Sequence, residues 1–242
     1  MNDRLLLGLT TYAGDFEQQT ILRKTLRHLR ERNGKDLPVI VVSDGPLTDR
    51  RIYQYADQTL CRPGPCGLQR GELDSLRLLC RFARANGYRY ILKSAGDIIL
   101  GQDHWANNAL ELMLVKQRRM LSTHWLRNDS GIVGTKFFVA ETDFLGEVLP
   151  DDVKPGECLE NVLTASIARR YAVDQVVYLI NSNTGEKHEV EAELRDWHWE
   201  HAHRLYKFVH LYDSDPPLER WLNRLFVHPA LRIRRQIARG LR

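Results

Sequence analysis

"YILKSAGDIIL", residues 90–100, reads as a buried strand that delivers one carboxylate, Asp97, to its C-terminal end. Its neighbours there are Ser94, Ala95 and Gly96, so the acid stands alone. The segment before it, "LQRGELDSLRLLCRFARANG" (68–87), is a long amphipathic helix that stops on Asn86-Gly87. Working back, "QTLCRPG" (58–64) is a short strand, "LTDRRIYQYAD" (47–57) a short helix and "LPVIVVSDG" (37–45) a β-branched, buried strand. "QQTILRKTLRHLRERNG" (18–34) has near-helical apolar spacing and an Asn33-Gly34 stop, and "RLLLGLTTY" (4–12) is a first strand. Strand and helix alternate three times. That order predicts an α/β fold: a mostly parallel sheet with helices on both faces. Ligands of such sheets sit at the carboxyl ends of the strands. Those ends hold Thr10, Thr11 and Tyr12; Ser43, Asp44 and Gly45; and Gly96 and Asp97.

The second half is less regular. "HWANNALELMLVKQRR" (104–119) is a helix, "MLSTHWL" (120–126) a strand, and "GTKFFVAETDFLGEVLP" (134–150) a strand followed by a short helix. "GECLENVLTASIARRY" (156–171) is a helix and "AVDQVVYLINSN" (172–183) a late strand. No repeat, low-complexity tract or linker interrupts the chain. Two parts are expected, a domain over 1–216 and a basic tail over 217–242.

The 242 residues suffice for one sizeable core, and 43% apolar with 27% charged residues is ordinary for a globular protein. No apolar run approaches the roughly 20 residues that span a bilayer. "MNDRLLLGLTTYAGD" is too short in its apolar part for a signal peptide. The expectation is a cytoplasmic protein whose Cys61, Cys66, Cys80 and Cys158 are thiols. "CRPGPC" (61–66) has no second pair to complete a zinc set, and a turn with two ordinary thiols is its plainer reading. The net charge of +4 is uneven: residues 217–242 hold seven arginines and one glutamate, a formal +6, which leaves −2 for the other 216.

Several chemistries are missing their motifs. There is no G-x-G-x-x-G after the first strand, no G-x-x-x-x-G-K-[ST] and no G-x-S-x-G. The early Gly-rich loop with an arginine used by sugar nucleotidyltransferases is absent too.

What remains resembles a glycosyltransferase of the GT-A fold. "VVSDGPLTD" (41–49) is similar to the second-strand signature of the large inverting family-2 type, VVDDGSTD. "ARANGYRYILKSAGD" (83–97) resembles the segment that carries that family's acidic metal motif, and "GECLENVLTASIARRY" the helix after its acceptor loop. "QRGELDSL" followed by "GYRYILKSAGDIIL" is also similar to WavE-like lipopolysaccharide-synthesis proteins. The resemblance implies a GT-A-like (Rossmann-like) sheet and transfer of a sugar from a nucleotide-sugar donor to a cell-surface glycan or lipid-linked acceptor, with inversion. It implies a divalent cation, Mn²⁺ or Mg²⁺, held by Asp97. The acids expected at 94 and 96 are, however, Ser94 and Gly96, so Lys93 or Arg70 would share the phosphate charge. Thr10, Asp44 and Gly45 fall at the donor nucleotide. Glu157, with Glu160 behind it, falls where a base would deprotonate the acceptor.

Each residue also has a plainer reading. Asp97 caps a turn, Asp44 closes its strand in an Asx-turn, and Lys93 is a solvated strand-end lysine. Glu157 and Glu160 favour the positive end of a helix dipole. "DWHWEHAH" (196–203) offers His198 as a metal or phosphate contact, against simple packing of a Trp-His cluster. A protein that binds a sugar nucleotide without catalysis, or a nucleic-acid-binding module using the tail, are the alternatives. Few aromatics interleave the tail's arginines, so no nucleic-acid partner is expected. Leu218, Trp221, Leu222 and Leu225 form one apolar stripe and Ala230, Ile233, Ile237 and Leu241 a second, flanked by arginines. That pattern suits a basic amphipathic helical tail on an anionic membrane surface, and so peripheral placement on the inner face of the cell membrane.

Overall fold

The computed structural model describes residues 4–11, 16–64, 68–96, 103–124 and 133–181. Asp97, His198, Cys66 and the whole of 217–242 lie outside them. The elements run β1 (Leu5–Thr11), α1 (Phe16–Asn33), β2 (Val39–Ser43), a 3₁₀ turn (Arg50–Gln54), β3 (Gln58–Cys61), α2 (Leu68–Ala85), β4 (Tyr90–Ala95), α3 (Trp105–Val115), β5 (Met120–His124), β6 (Val133–Glu141), α4 (Thr142–Val148), α5 (Leu159–Ala168), α6 (Val173–Val176) and β7 (Val177–Asn181).

The seven strands form one sheet in the order β3-β2-β1-β4-β6-β5-β7. β3, β2, β1 and β4 are mutually parallel. β6 runs antiparallel to both β4 and β5, and β7 runs parallel to β5. The sheet is therefore mixed but mostly parallel, as the alternating pattern predicts.

Strand alternation sorts the core into two layers. Leu6, Ile40, Val42, Ile91, Phe138 and Ala140 point into one layer, against Leu73, Leu76 and Leu79 of α2, Phe144 and Leu145 of α4, and Leu163 and Ile167 of α5. On the other layer Trp105 of α3 meets the Phe137 ring at 5.9 Å. There α1 and α3 are stitched end to start: Asn33 Oδ1 accepts from Ala106 N at 2.9 Å, and His104 N donates to Arg32 O at 2.8 Å.

Three local expectations change. The segment at 47–57 makes only a 3₁₀ turn, capped by Asp49, whose side chain accepts from Arg51 N. The helix expected from 156 begins at Leu159, because a turn closed by Glu157 N to Lys154 O (3.0 Å) precedes it. The late strand starts at Val177 after a helical turn that buries Val176. Cys61, Cys80 and Cys158 are free thiols.

Candidate functional site

Four parallel strands end at one edge, and the ladder continues past them. Asp44 N donates to Thr11 O, Gly96 N to Thr10 O and Arg62 N to Ser43 O, each at 2.9 Å. Thr10 is level with Val42 on one side and Ala95 on the other. By alternation Thr10, Asp44, Lys93 and Ala95 share the face that α2 covers. Asp97 lies outside the described residues.

Asp44 is 5% exposed. Its Oδ1 lies 3.5 Å from Arg62 Nη1, while Arg62 Nη2 reaches Asp74 Oδ2 at 3.1 Å. The carboxylate sits against the first turn of α2: a Cβ on Gly71 would come within 2.1 Å of Asp44 Oδ2. Only glycine allows that approach. Gly45 is buried with φ +140°, a backbone setting that turns the chain away from β2 and disfavours side chains. The loop that follows is held from α1. Gln19, 3% exposed, accepts at Oε1 from Thr48 N (2.8 Å), Thr48 Oγ1 (3.1 Å) and Asp49 N (2.7 Å).

Lys93 is wholly buried, so it is not a solvated strand-end lysine. Its Nζ donates to Glu72 Oε1 of α2 at 2.6 Å and to the Thr135 carbonyl of β6. Thr135 Oγ1 donates in turn to Glu160 Oε1 at 2.8 Å, and Cys158 Sγ donates to Glu160 Oε2 at 2.7 Å. A chain of polar groups thus runs from α2 through β4 and β6 to the start of α5. Burial acts to raise the Glu160 carboxyl. The hydrogen bonds from Cys158, its own backbone and Thr135, with the Lys93 charge, outweigh it and hold the group below its ordinary value. Burial first, then the bond to Glu160 and its charge, push the Cys158 thiol up. Breaking a buried pair of this kind by removing one partner costs about 3–5 kcal/mol.

Glu157 is exposed and accepts from Lys154 N at 2.9 Å, which fastens its own turn. Arg70, in the first turn of α2, is exposed and approaches Asp152 Oδ1 at 3.7 Å. The starts of α2 and α5 are joined by Gln69 Oε1, which accepts from Leu159 N at 2.6 Å. The structure therefore brings Thr10, Asp44, Gly45 and Lys93 to one edge and face, and links Lys93 to Glu160. It leaves Glu157 and Arg70 at the surface nearby.

Sequence reasoning passed over Arg62, Gln19, Gln69, Glu72, Thr135 and Cys158. One signal was available for Glu72: a lysine inside an apolar strand needs a buried counter-charge, and "GELDSL" on the preceding helix supplies one. For Gln19 no signal existed. Among the described residues no cluster of three or more His, Cys, Asp or Glu fits a metal ion. Asp44, the buried acid at the edge, is already matched with Arg62.

No protein-family model matches the chain, and no curated protein matches it. Solved structures do. A protein from Desulfovibrio desulfuricans G20 described as a nucleotide-diphospho-sugar transferase superposes with a TM-score of 0.52 at 11% identity, over 88% of this chain and 96% of that one. A cytidylyltransferase from Leptospira borgpetersenii serovar Hardjo-bovis gives 0.51 at 13%, over 78% and 79%. At such identities the likeness is one of fold: this chain has an α/β architecture similar to that of nucleotide-sugar transferases and cytidylyltransferases.

Proposed function

We propose that the protein is a nucleotide-sugar-dependent glycosyltransferase acting on a surface-glycan or lipid-linked acceptor. The observation that carries this reading is the convergence, on one face of one sheet edge, of Thr10, Asp44-Gly45 and the end of β4, with the acidic start of α5 tied to the start of α2. The fold likeness to a nucleotide-diphospho-sugar transferase supports it. Thr10 and the Asp44-Gly45 turn receive the nucleoside, and exposed Arg70 meets the diphosphate. The acceptor oxygen attacks the anomeric carbon. The bond from that carbon to the diphosphate breaks and its electrons leave with the nucleotide. The hydroxyl proton passes to Glu157 or Glu160. A single displacement of this kind inverts the anomeric centre.

Asp97 and His198 are the proposed ligands of a Mn²⁺ or Mg²⁺ ion, which would supply positive charge to the leaving diphosphate. The tail at 217–242 is proposed as a separate part that seats the enzyme on an anionic inner membrane face. The likeness to a cytidylyltransferase favours nucleotidyl transfer as a second reading. Against it stands the lack of a Gly-rich, arginine-bearing loop after β1.

Titration calorimetry with UDP-, GDP-, dTDP- and CMP-sugars, with and without Mn²⁺, tests the reading. Binding of at least one is expected, and Asp97→Asn should lower transfer by on the order of 10²-fold. Binding of none, or release of pyrophosphate from CTP and a free sugar acid, rejects glycosyl transfer. Tight binding without turnover points to a non-catalytic sugar-nucleotide binder.

A further inference from the structure

We propose that Lys93 is a positioning residue: pinned by Glu72, it fixes Thr135 and through it one oxygen of Glu160, leaving the other oxygen to take the proton of the acceptor hydroxyl. This rests on the transfer reading above and selects Glu160 over Glu157 as the base.

The two carboxylates are held in different ways. Glu157 is exposed and accepts within its own turn, from Lys154 N at 2.9 Å. Glu160 is anchored by the sheet. Its Oε1 accepts from Thr135 Oγ1 at 2.8 Å, and the Thr135 carbonyl accepts from Lys93 Nζ. Lys93 has no exposure to solvent, and its Nζ reaches Glu72 Oε1 at 2.6 Å. Three elements, β4, β6 and α2, therefore converge to orient one oxygen of one residue of α5.

The other oxygen, Oε2, faces Cys158, whose exposed thiol donates to it at 2.7 Å. A thiol is a weak donor. It occupies the direction from which an alcohol O–H, a stronger donor, would approach. On transfer the hydroxyl proton goes to Oε2, the acceptor oxygen bonds to the anomeric carbon, and the thiol keeps its own proton.

Among the described residues, the charged and titratable groups that face Glu160 are Cys158 from the residues just before it, Lys93 from β4 and, behind Lys93, Glu72 from α2. Lys93 is the one cation among them. Its charge favours the anionic carboxylate, which is the form that accepts a proton. A merely structural lysine would hold α2 against the sheet without governing the ionisation of Glu160.

The experiment compares wild type with Lys93→Met and with Lys93→Met/Glu72→Gln. The double variant leaves no unmatched charge beneath β4, so it keeps the test open if the single variant does not fold. Carboxyl ¹³C NMR, with Glu160 assigned from Glu160→Gln, gives the titration of Glu160 without any ligand. Transfer from whichever UDP-, GDP-, dTDP- or CMP-sugar binds gives the acid limb of the pH–rate profile. In both variants the Glu160 titration should rise, more in the single variant than in the double, where loss of the Glu72 charge offsets part of the change. The acid limb should rise with it. A Glu160 titration unchanged from wild type overturns the proposal. So does an acid limb that stays in place while Glu160 shifts. Wild-type protein that binds none of the sugar nucleotides defeats the transfer reading instead, and the NMR titration still shows whether Lys93 controls Glu160.

Discussion

Gly71→Ala places a methyl group where Asp44 Oδ2 now lies, 2.1 Å from the ideal Cβ. Normal contact needs more than an ångström beyond that. Asp44 has little freedom to yield, since it is 5% exposed and 3.5 Å from the Arg62 guanidinium. Two effects compete. Alanine in place of glycine favours the helix by about 0.5–1 kcal/mol. Overpacking a buried contact costs roughly 1–3 kcal/mol. The second should win, for a net loss of about 1 kcal/mol. In an Asp44→Ala background the obstacle is gone and only the helix term remains, so the same substitution should stabilise by about 0.5–1 kcal/mol. Arg62 keeps Asp74 at 3.1 Å in that background, so the comparison does not strand its charge. Urea unfolding of the four proteins measures the coupling, expected at about 2 kcal/mol. Equal effects of Gly71→Ala in both backgrounds would refute the claim that the Asp44 carboxylate, rather than helix packing in general, requires glycine there.

Gln19→Leu strips three bonds from the loop at 48–49 and should cost about 2–3 kcal/mol in chemical unfolding, whereas Gln19→Glu, which keeps an acceptor at Oε1, should cost less. The folded Glu160 carboxyl lies below its ordinary value of 4.5, so its contribution is complete at neutral pH and is lost as the pH falls through the folded value. Urea midpoints for wild type and Glu160→Gln should therefore converge below about pH 4.5 and stay apart above it; a constant gap contradicts the assignment. The full chain should sediment with anionic vesicles at low salt and not with neutral ones, and a chain ending at Val227 should lose that binding. Equal sedimentation of the two chains rules out the arginine-flanked stripe as the anchor.

The fold was legible where a local pattern and the tertiary environment agree. The β-branched run at β2 and the apolar spacing of α2 needed no partner to be recognised. The order of strands past β4 was not, since β6 inserts between β4 and β5 in the reverse direction and nothing local to "GTKFFVAE" states which neighbour it will choose. At the candidate site, residues at strand ends could be picked out because the carboxyl edge of a parallel sheet gathers them in a predictable order. The Lys93 chain was not found, because its links span 21, 42 and 25 positions and form only once β6 lies beside β4. The sequence puts Glu157 ahead of Glu160 as the base, because Glu157 stands at the loop-to-helix junction after Pro155-Gly156. Their difference comes from the turn at Lys154–Glu157, which delays the helix and leaves one carboxylate outside it.

The two edges of the sheet are built to different standards. At the amino edge the connections are brief: five residues at 34–38, four at 86–89, four at 116–119, and none between β6 and α4. At the carboxyl edge β1, β2, β3, β4, β5 and β7 all terminate and β6 begins. The short connections at the amino edge tie strand register to helix packing, so changes in length there must be absorbed by the packing itself. Such a division separates the edge that sets the core from the edge that gathers the candidate site.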